Sequence, residues 1–191
     1  MELVFASNNQ HKVEEIQAMI GSTIKLKSLR DIGCTEEIPE TGRTFAENAG
    51  QKSRFVYEKF GLNCFADDSG LEIDTLGGEP GVDSAHYSGS RNFEQNMQLV
   101  LDKLGDSENR AARFKTVISL IIEGEEFLFE GSVEGRITKS RTGTGGFGYD
   151  PIFKPDGYDI SFAEMSADEK NRISHRAKAT EKLISFLKSR Y

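Results

Sequence analysis

The 191-residue sequence predicts an α/β fold built on a mixed β-sheet, and three observations predict it. Short apolar runs bounded by turn residues alternate with segments of helical period, the element order of α/β proteins. Two long strand-like runs, 111–122 and 126–137, flank Glu123-Gly124-Glu125 and read as a hairpin, so part of the sheet is antiparallel. No internal repeat, low-complexity tract or linker interrupts the pattern, and a single domain over residues 1–191 is expected.

Each element has its own signal. Residues 3–6 read as a short buried strand. Ser7-Asn8-Asn9 supplies N-cap chemistry for a helix whose buried face is Val13, Ile16, Gln17 and Ile20 and which stops at Gly21. Ile24, Leu26 and Leu29 suggest a second strand, and residues 31–41 a loop. Thr44 caps a long helix with Phe45, Ala49, Val56 and Phe60 inward and Gly61 at its end. Residues 63–66 form the next strand, followed by an extended stretch with Leu71, Ile73 and Leu76, then loop over 77–89. Phe93, Met97, Val100, Leu101 and Leu104 mark another helix, closed by Gly105. In the last segment Ser166 and Glu169 make a capping box ahead of Ile173, Ala177, Leu183, Ile184 and Leu187.

Composition narrows the function. Hydrophobic residues at 37% and charged residues at 29% describe an ordinary soluble globular protein. A net charge of −7 repels nucleic acid and anionic membranes at long range, so a small anionic substrate would need a local cluster of Lys and Arg with a divalent cation. Cys34 and Cys64 lack CxxC spacing and read as reduced thiols. No apolar run reaches the ~18 residues of a membrane span or the form of a signal peptide, so a cytoplasmic protein is expected.

Five stretches could carry chemistry. Ser7-Asn8-Asn9-Gln10-His11-Lys12 lies at a strand-to-helix junction, where free backbone N–H groups favour phosphate; taken alone it reads as a plain cap with an exposed lysine. Asp67-Asp68-Ser69-Gly70 follows a buried apolar strand. Two adjacent carboxylates at a strand's end repel unless a cation lies between them, and Mg²⁺ prefers such oxygens; the bland alternative is an acidic turn. Glu40-Thr41-Gly42 precedes the helix carrying Glu47, Asn48 and Lys52; Asn48 and Lys52 share a face, which alone reads as a solvated one. Residues 143–151, Gly-Thr-Gly-Gly-Phe-Gly-Tyr-Asp-Pro, formally contain G-x-G-x-x-G, but Pro151 opposes helix onset from Asp150, which excludes the dinucleotide fingerprint and with it an oxidoreductase. What remains is a glycine loop presenting Phe147, Tyr149 and Asp150 either to a stacked base or to the core. Lys170 and Arg176 fall ~240° apart on a straight helix, so they act together only if the helix breaks near Ser174.

Together these stretches resemble the inosine triphosphate pyrophosphatase family, the dITP/XTP pyrophosphatases. The matching pieces are residues 7–12, Glu40-Thr41-Gly42 with Phe45 and Glu47-Asn48-Ala49, Ala66-Asp67-Asp68-Ser69-Gly70-Leu71, and Leu76-Gly77-Gly78-Glu79-Pro80-Gly81. Ser84-Ala85, Tyr87-Ser88-Gly89, residues 143–151 and Ile173-Ser174-His175-Arg176 follow in the family's order. Ser7 stands where the family usually has Thr and keeps the hydroxyl.

The resemblance implies an elongated α/β fold, a long mixed sheet with flanking helices forming two lobes around a central cleft, and a homodimer. It implies Mg²⁺-dependent hydrolysis of non-standard purine triphosphates (ITP, dITP, XTP) to monophosphate and pyrophosphate, a house-cleaning role in nucleotide metabolism. Asp68 would be the catalytic carboxylate and Lys52 a catalytic lysine. Glu40, Asp67 and Asp68 would hold the metal. Ser7, Asn8, Asn9, Gln10, His11, Lys12 and Lys52 would bind triphosphate, and Ser69 would touch substrate. Phe147, Gly148, Tyr149, Asp150, Lys170, His175 and Arg176 would form the base pocket. Hypoxanthine and xanthine offer an N1–H donor and an O6 acceptor, the reverse of adenine, which suits Asp150 accepting with His175 or Arg176 donating. Two rivals stand beside this reading: a Maf-like pyrophosphatase for modified pyrimidine nucleotides, and a nucleotide-binding sensor without turnover.

Overall fold

A computed structural model describes residues 1–191, with the side chains of His11 and Glu15 outside the described residues. Six strands form one mixed sheet in the order β2-β1-β3-β4-β5-β6. They are β1 (Glu2–Phe5), β2 (Lys25–Lys27), β3 (Cys64–Ile73), β4 (Ala111–Ile122), β5 (Glu125–Ile137) and β6 (Phe153–Pro155). Five α-helices accompany them: α1 (Gln10–Ile20), α2 (Phe45–Phe60), α3 (Phe93–Leu104), α4 (Ala167–Ile173) and α5 (His175–Arg190). β1 pairs in parallel with β2 and β3, while β5 and β6 are antiparallel. The mixed α/β sheet expected from the sequence is therefore present.

The chain divides into two compact units. The first comprises Met1–Asp68, Val117–Glu130 and Ala179–Tyr191; the second comprises Ser69–Thr116 and Gly131–Lys178. In the first, both faces of the sheet are buried, which is why its strands are almost continuously apolar rather than alternating. Side chains alternate across the sheet at period two. Leu3 and Phe5 of β1, Phe65 of β3 and Ile118, Leu120 and Ile122 of β4 pack with Val13, Ile16 and Ile20 of α1 and Leu183 and Leu187 of α5. Val4, Ala6, Cys64, Ala66 and Ile121 point the other way, where Val56 of α2 meets them. Phe5 and Phe65 stack with ring centroids 4.7 Å apart.

The second unit has its own core, in which Leu71, Ile73, Phe114 and Ile137 meet Met97, Val100 and Leu104 of α3 together with Tyr149, Phe153 and Phe162. Arg110 is buried there, and its guanidinium donates to the carbonyls of Ile137, Gly105, Ser107 and Thr138. Four partners satisfy a side chain whose burial would otherwise be costly.

Boundaries follow local chemistry. The β4–β5 connection is Glu123-Gly124 with φ of 54° and 85°, the positive pair that a two-residue type I′ hairpin turn requires. β5 begins at Glu125, one residue earlier than the pattern suggests. β2 is only three residues long, because Asp31 Oδ2 accepts from the Ser28 backbone N–H at 2.7 Å and turns the chain before Leu29. The largest difference is β3. The sequence suggests a strand ending at Ala66 and a turn at the carboxylates, whereas β3 runs unbroken through Asp67, Asp68, Ser69 and Gly70 to Ile73. The stretch 77–89, expected as loop, contains a 3-10 helix at Gly81–His86. The terminal helix does break: Ser174, with ψ of 151°, separates α4 from α5. Among the described residues, no helix is long and apolar enough to cross a membrane.

Candidate active site

In the first unit the chemistry collects around the middle of β3. Because β3 is extended there, the adjacent carboxylates leave on opposite faces. Asp67 turns to α1, where Lys12 Nζ donates to its two oxygens at 3.2 and 2.9 Å. Asp68 turns to α2, where Asn48 Nδ2 donates to its Oδ2 at 3.0 Å. β3 runs on through both residues to Ile73, which corrects the expectation of a strand that ends before the carboxylates.

Lys52, also on α2, donates to the backbone carbonyl of Asp67 at 2.6 Å and to Glu40 Oε1 at 3.0 Å. Asn48 and Lys52 do share a face, as their spacing predicts, and that face is turned inward: Asn48 is 2% exposed. The loop carrying Glu40 is fixed by the same helix. Thr41, Gly42 and Arg43 donate their backbone N–H groups to Gln51 Oε1 (2.9 Å), Asn48 Oδ1 (2.7 Å) and Glu47 Oε2 (2.6 Å). Gln51 and the bridging role of Asn48 were not identified from sequence; the i, i+4 pair Glu47–Gln51 beside Asn48–Lys52 was the available signal.

Burial pushes the Asp68 carboxyl up to about 6; Lys52 and the Asn48 hydrogen bond pull it down, while Glu40 and Asp67 add like-charge repulsion that raises it further. A carboxylate poised near neutrality suits proton transfer. Glu40 and Asp67 thus act electrostatically on Asp68. Among the described residues, however, no three His, Cys, Asp or Glu side chains gather closely enough to hold a metal ion. The donors themselves fit Mg²⁺ in kind. They are carboxylate oxygens whose partners include cationic or hydrogen-bond-donating groups, Lys12, Lys52 and Asn48.

The α1 approach is partly a capping device. Asn9 Oδ1 accepts from Lys12 N–H at 3.3 Å, and Ser7 Oγ accepts from Asn9 N–H at 3.1 Å. Asn8 and Gln10 are exposed, and Gln10 donates to Glu14. The His11 side chain lies outside the described residues.

In the second unit a separate group forms around Phe147, which is 56% exposed. Lys170 Nζ sits 4.8 Å from its ring centroid and the Arg176 guanidinium carbon 5.9 Å from it. Phe93 adds a tilted ring at 6.5 Å. The break at Ser174 brings Lys170 and Arg176 to the same ring. Asp150 is buried, and its Oδ2 accepts from Lys170 Nζ at 2.5 Å and from the Phe147 backbone N–H at 3.0 Å. Gly146, with φ of 69°, is required by contact as well as conformation, since a Cβ there would lie 2.1 Å from Asp150 Oδ2. Gly148 is also at positive φ. The glycine loop runs into a 3-10 turn, Asp150–Ile152, and then β6, so no helix follows it.

Three assigned residues are placed differently from the exposed ring. Tyr149 is a core residue whose hydroxyl donates to the Ser84 carbonyl at 2.6 Å. His175 is buried and stacks on Phe114 with ring centroids 4.9 Å apart. Ser69 Oγ pairs with Thr116 Oγ1 at 2.8 Å across to β4. Phe93 was missed, because at the first position of an amphipathic helix it reads as core.

Fold and site together define an α/β enzyme in which acidic side chains and lysines gather around one buried strand. The chain belongs to the Ham1 family, whose model matches residues 3–186. It is 53% identical over 190 residues to a Flavobacterium psychrophilum protein named dITP/XTP pyrophosphatase, covering 99% of this chain and 100% of that one. The Ham1 protein of Staphylococcus aureus superposes with a TM-score of 0.96 at 38% identity, covering 100% of both chains. A HAM1 protein from Coxiella burnetii gives 0.94 at 38% identity over 99% of each.

Proposed function

We infer that this chain hydrolyses non-standard purine nucleoside triphosphates, with ITP, dITP and XTP as substrates, to the monophosphate and pyrophosphate. The observation that carries this reading is the meeting of Asp68, Asn48, Lys52 and Glu40 on the α2 side of β3. The near full-length likeness to proteins named dITP/XTP pyrophosphatase supports the substrate class.

Asp68 accepts a proton from the attacking water. Its raised carboxyl, kept from ionising too readily by burial, makes it a base matched to neutral pH. Lys52 is the catalytic lysine, offering positive charge to the departing pyrophosphate, and Lys12 offers a second. Ser7, Asn8, Asn9, Gln10 and His11 accompany Lys12 at the start of α1 as triphosphate contacts. Glu40, Asp67 and Asp68 would hold Mg²⁺, which when bound neutralises the phosphates, orients them and acidifies water.

In the second unit, Phe147 offers a face for base stacking, with Lys170, His175 and Arg176 as donors toward a purine O6. Asp150 Oδ2 already accepts two bonds, so acceptance of an N1–H falls to Oδ1. Adenine presents the reverse pattern and leaves these groups unpaired, a mismatch worth ~10⁴–10⁵ in specificity in sites that hydrogen-bond their substrate. A net charge of −7 disfavours nucleic-acid and membrane partners. A cytoplasmic homodimer is the form proposed on family resemblance.

The test is a pyrophosphate-release assay with ITP, XTP, ATP and GTP side by side, with Mg²⁺ and with EDTA. Mg²⁺-dependent pyrophosphate chiefly from ITP and XTP is expected. Comparable turnover of ATP and GTP would remove the house-cleaning role, and no pyrophosphate from any of them would return the sensor and modified-pyrimidine readings.

A further inference from the structure

Asn48 is buried, yet neither a packing nor a capping role accounts for its two hydrogen bonds. Its Oδ1 accepts from the Gly42 backbone N–H at 2.7 Å, and its Nδ2 donates to Asp68 Oδ2 at 3.0 Å. Both ends of one rigid planar amide are thus committed, one to the loop that carries Glu40 and one to the carboxylate on β3. The fit on the loop side is close: a Cβ at Gly42 would meet Asn48 Oδ1 at 2.8 Å and Glu47 Cβ at 2.6 Å. Three side chains of α2 receive the three successive N–H groups of Thr41, Gly42 and Arg43, and of these Asn48 also donates to Asp68.

We propose that Asn48 is a positioning residue: its amide fixes the orientation of the Asp68 carboxylate relative to the Glu40 loop. The amide does not ionise near neutrality, and its two ends are not interchangeable in this setting, because Gly42 N–H requires an acceptor and the Asp68 carboxylate a donor. A carboxylate at position 48 would satisfy the loop and fail the strand. This inference rests on Asp68 being the base.

That asymmetry gives the test. Asn48→Asp keeps the acceptor for Gly42 and loses the donor to Asp68, Asn48→Ala loses both, and Gln51→Ala removes only the neighbouring loop contact at Thr41. For pyrophosphate release from ITP, kcat is expected to fall at least about 100-fold in both Asn48 variants with KM changed by less than about threefold. Gln51→Ala should stay within about 10-fold of wild type. Wild-type-like kcat in Asn48→Asp would overturn the proposal and reduce Asn48 to a loop pin. A second readout is independent of turnover. The two Nδ2 proton resonances of Asn48 should shift on Asp68→Ala, and resonances that ignore that substitution would also overturn it. If wild type itself releases no pyrophosphate, the hydrolase reading fails while this resonance test still decides the contact.

Discussion

Lys12 Nζ lies 2.9 Å from Asp67 Oδ2, and the two side chains are 26% and 4% exposed. The pair joins α1 to β3, and the lysine ends where a divalent cation or a phosphate would also be drawn. Removing the lysine takes a counter-charge from a buried carboxylate, a change that costs ~3–5 kcal/mol for fully buried pairs. Lys12 is partly exposed, so Lys12→Ala should destabilise by about 1–3 kcal/mol in urea titrations with EDTA present. Added Mg²⁺ should recover part of that loss if Asp67 is a metal ligand. A loss unchanged by Mg²⁺ would remove Asp67 from the metal set.

Asp68 behaves in the opposite sense. Its folded carboxyl is raised to about 6 from an ordinary value of 3.8, so the folded state holds the proton more tightly than the unfolded chain. Its contribution is therefore most favourable below about pH 4 and is lost as pH rises through 6, because ionising the buried group opposes folding. Asp68→Asn removes that penalty while keeping an acceptor for Asn48. In EDTA at pH 7.5 it should be more stable than wild type by about 1–3 kcal/mol, at most the shift at 1.36 kcal/mol per unit. The gain should shrink toward zero near pH 4, and kcat should fall ~10²–10⁴-fold. A destabilised Asp68→Asn at pH 7.5 would show that the carboxylate is not strained.

Much of this arrangement was legible in the sequence, and the part that was not has a common cause. Asn48 and Lys52 declare a shared helix face at four-residue spacing, and Ser174 declares its break through the angular conflict of Lys170 with Arg176. The carboxylates misled, because two adjacent aspartates inside a strand are unfavourable unless partners arrive from elsewhere. Here those partners come from Lys12 and Asn48, 55 and 20 residues away. Local sequence holds no record of them, so β3 reads as ending at Ala66. The glycine loop was ambiguous for the same reason: nothing near Tyr149 in the chain foretells that its hydroxyl binds the Ser84 carbonyl, 65 residues away.

The exposed ring of Phe147 gives a prediction without a stability cost. Phe147→Ala should change the melting temperature little, since the ring is over half exposed. If the ring stacks on the base, KM for ITP should rise about 10-fold or more, from ~1–3 kcal/mol per stacked base. Arg176→Ala should lower the ITP/ATP ratio of kcat/KM; an unchanged ratio would end its role in reading the base.

Two glycines in the same loop should part company. Gly146→Ala must displace the Asp150 carboxylate, and with it Lys170, so a loss of about 1–3 kcal/mol and a weakened ITP KM are expected. At Gly148 a Cβ would meet nothing within 4 Å, leaving only the penalty of positive φ, about 1 kcal/mol. Equal effects of the two substitutions on KM would mean that the Asp150–Lys170 contact does not shape the base site.

The cysteines give the last prediction. Cys34 and Cys64 are both free and buried, and burial pushes the Cys64 thiol up to about 12. Cys64 Sγ also donates to the Ser53 carbonyl at 3.2 Å, next to Lys52 in the chain. The thiolate is the reactive form, so native protein at pH 8 should consume almost no aromatic disulfide reagent, and two equivalents should react on unfolding. Reaction at Cys64 in the native state, mapped by mass spectrometry, would require local opening between α2 and β3. It should then be accompanied by loss of pyrophosphatase activity, because the same packing holds Lys52 against Asp67.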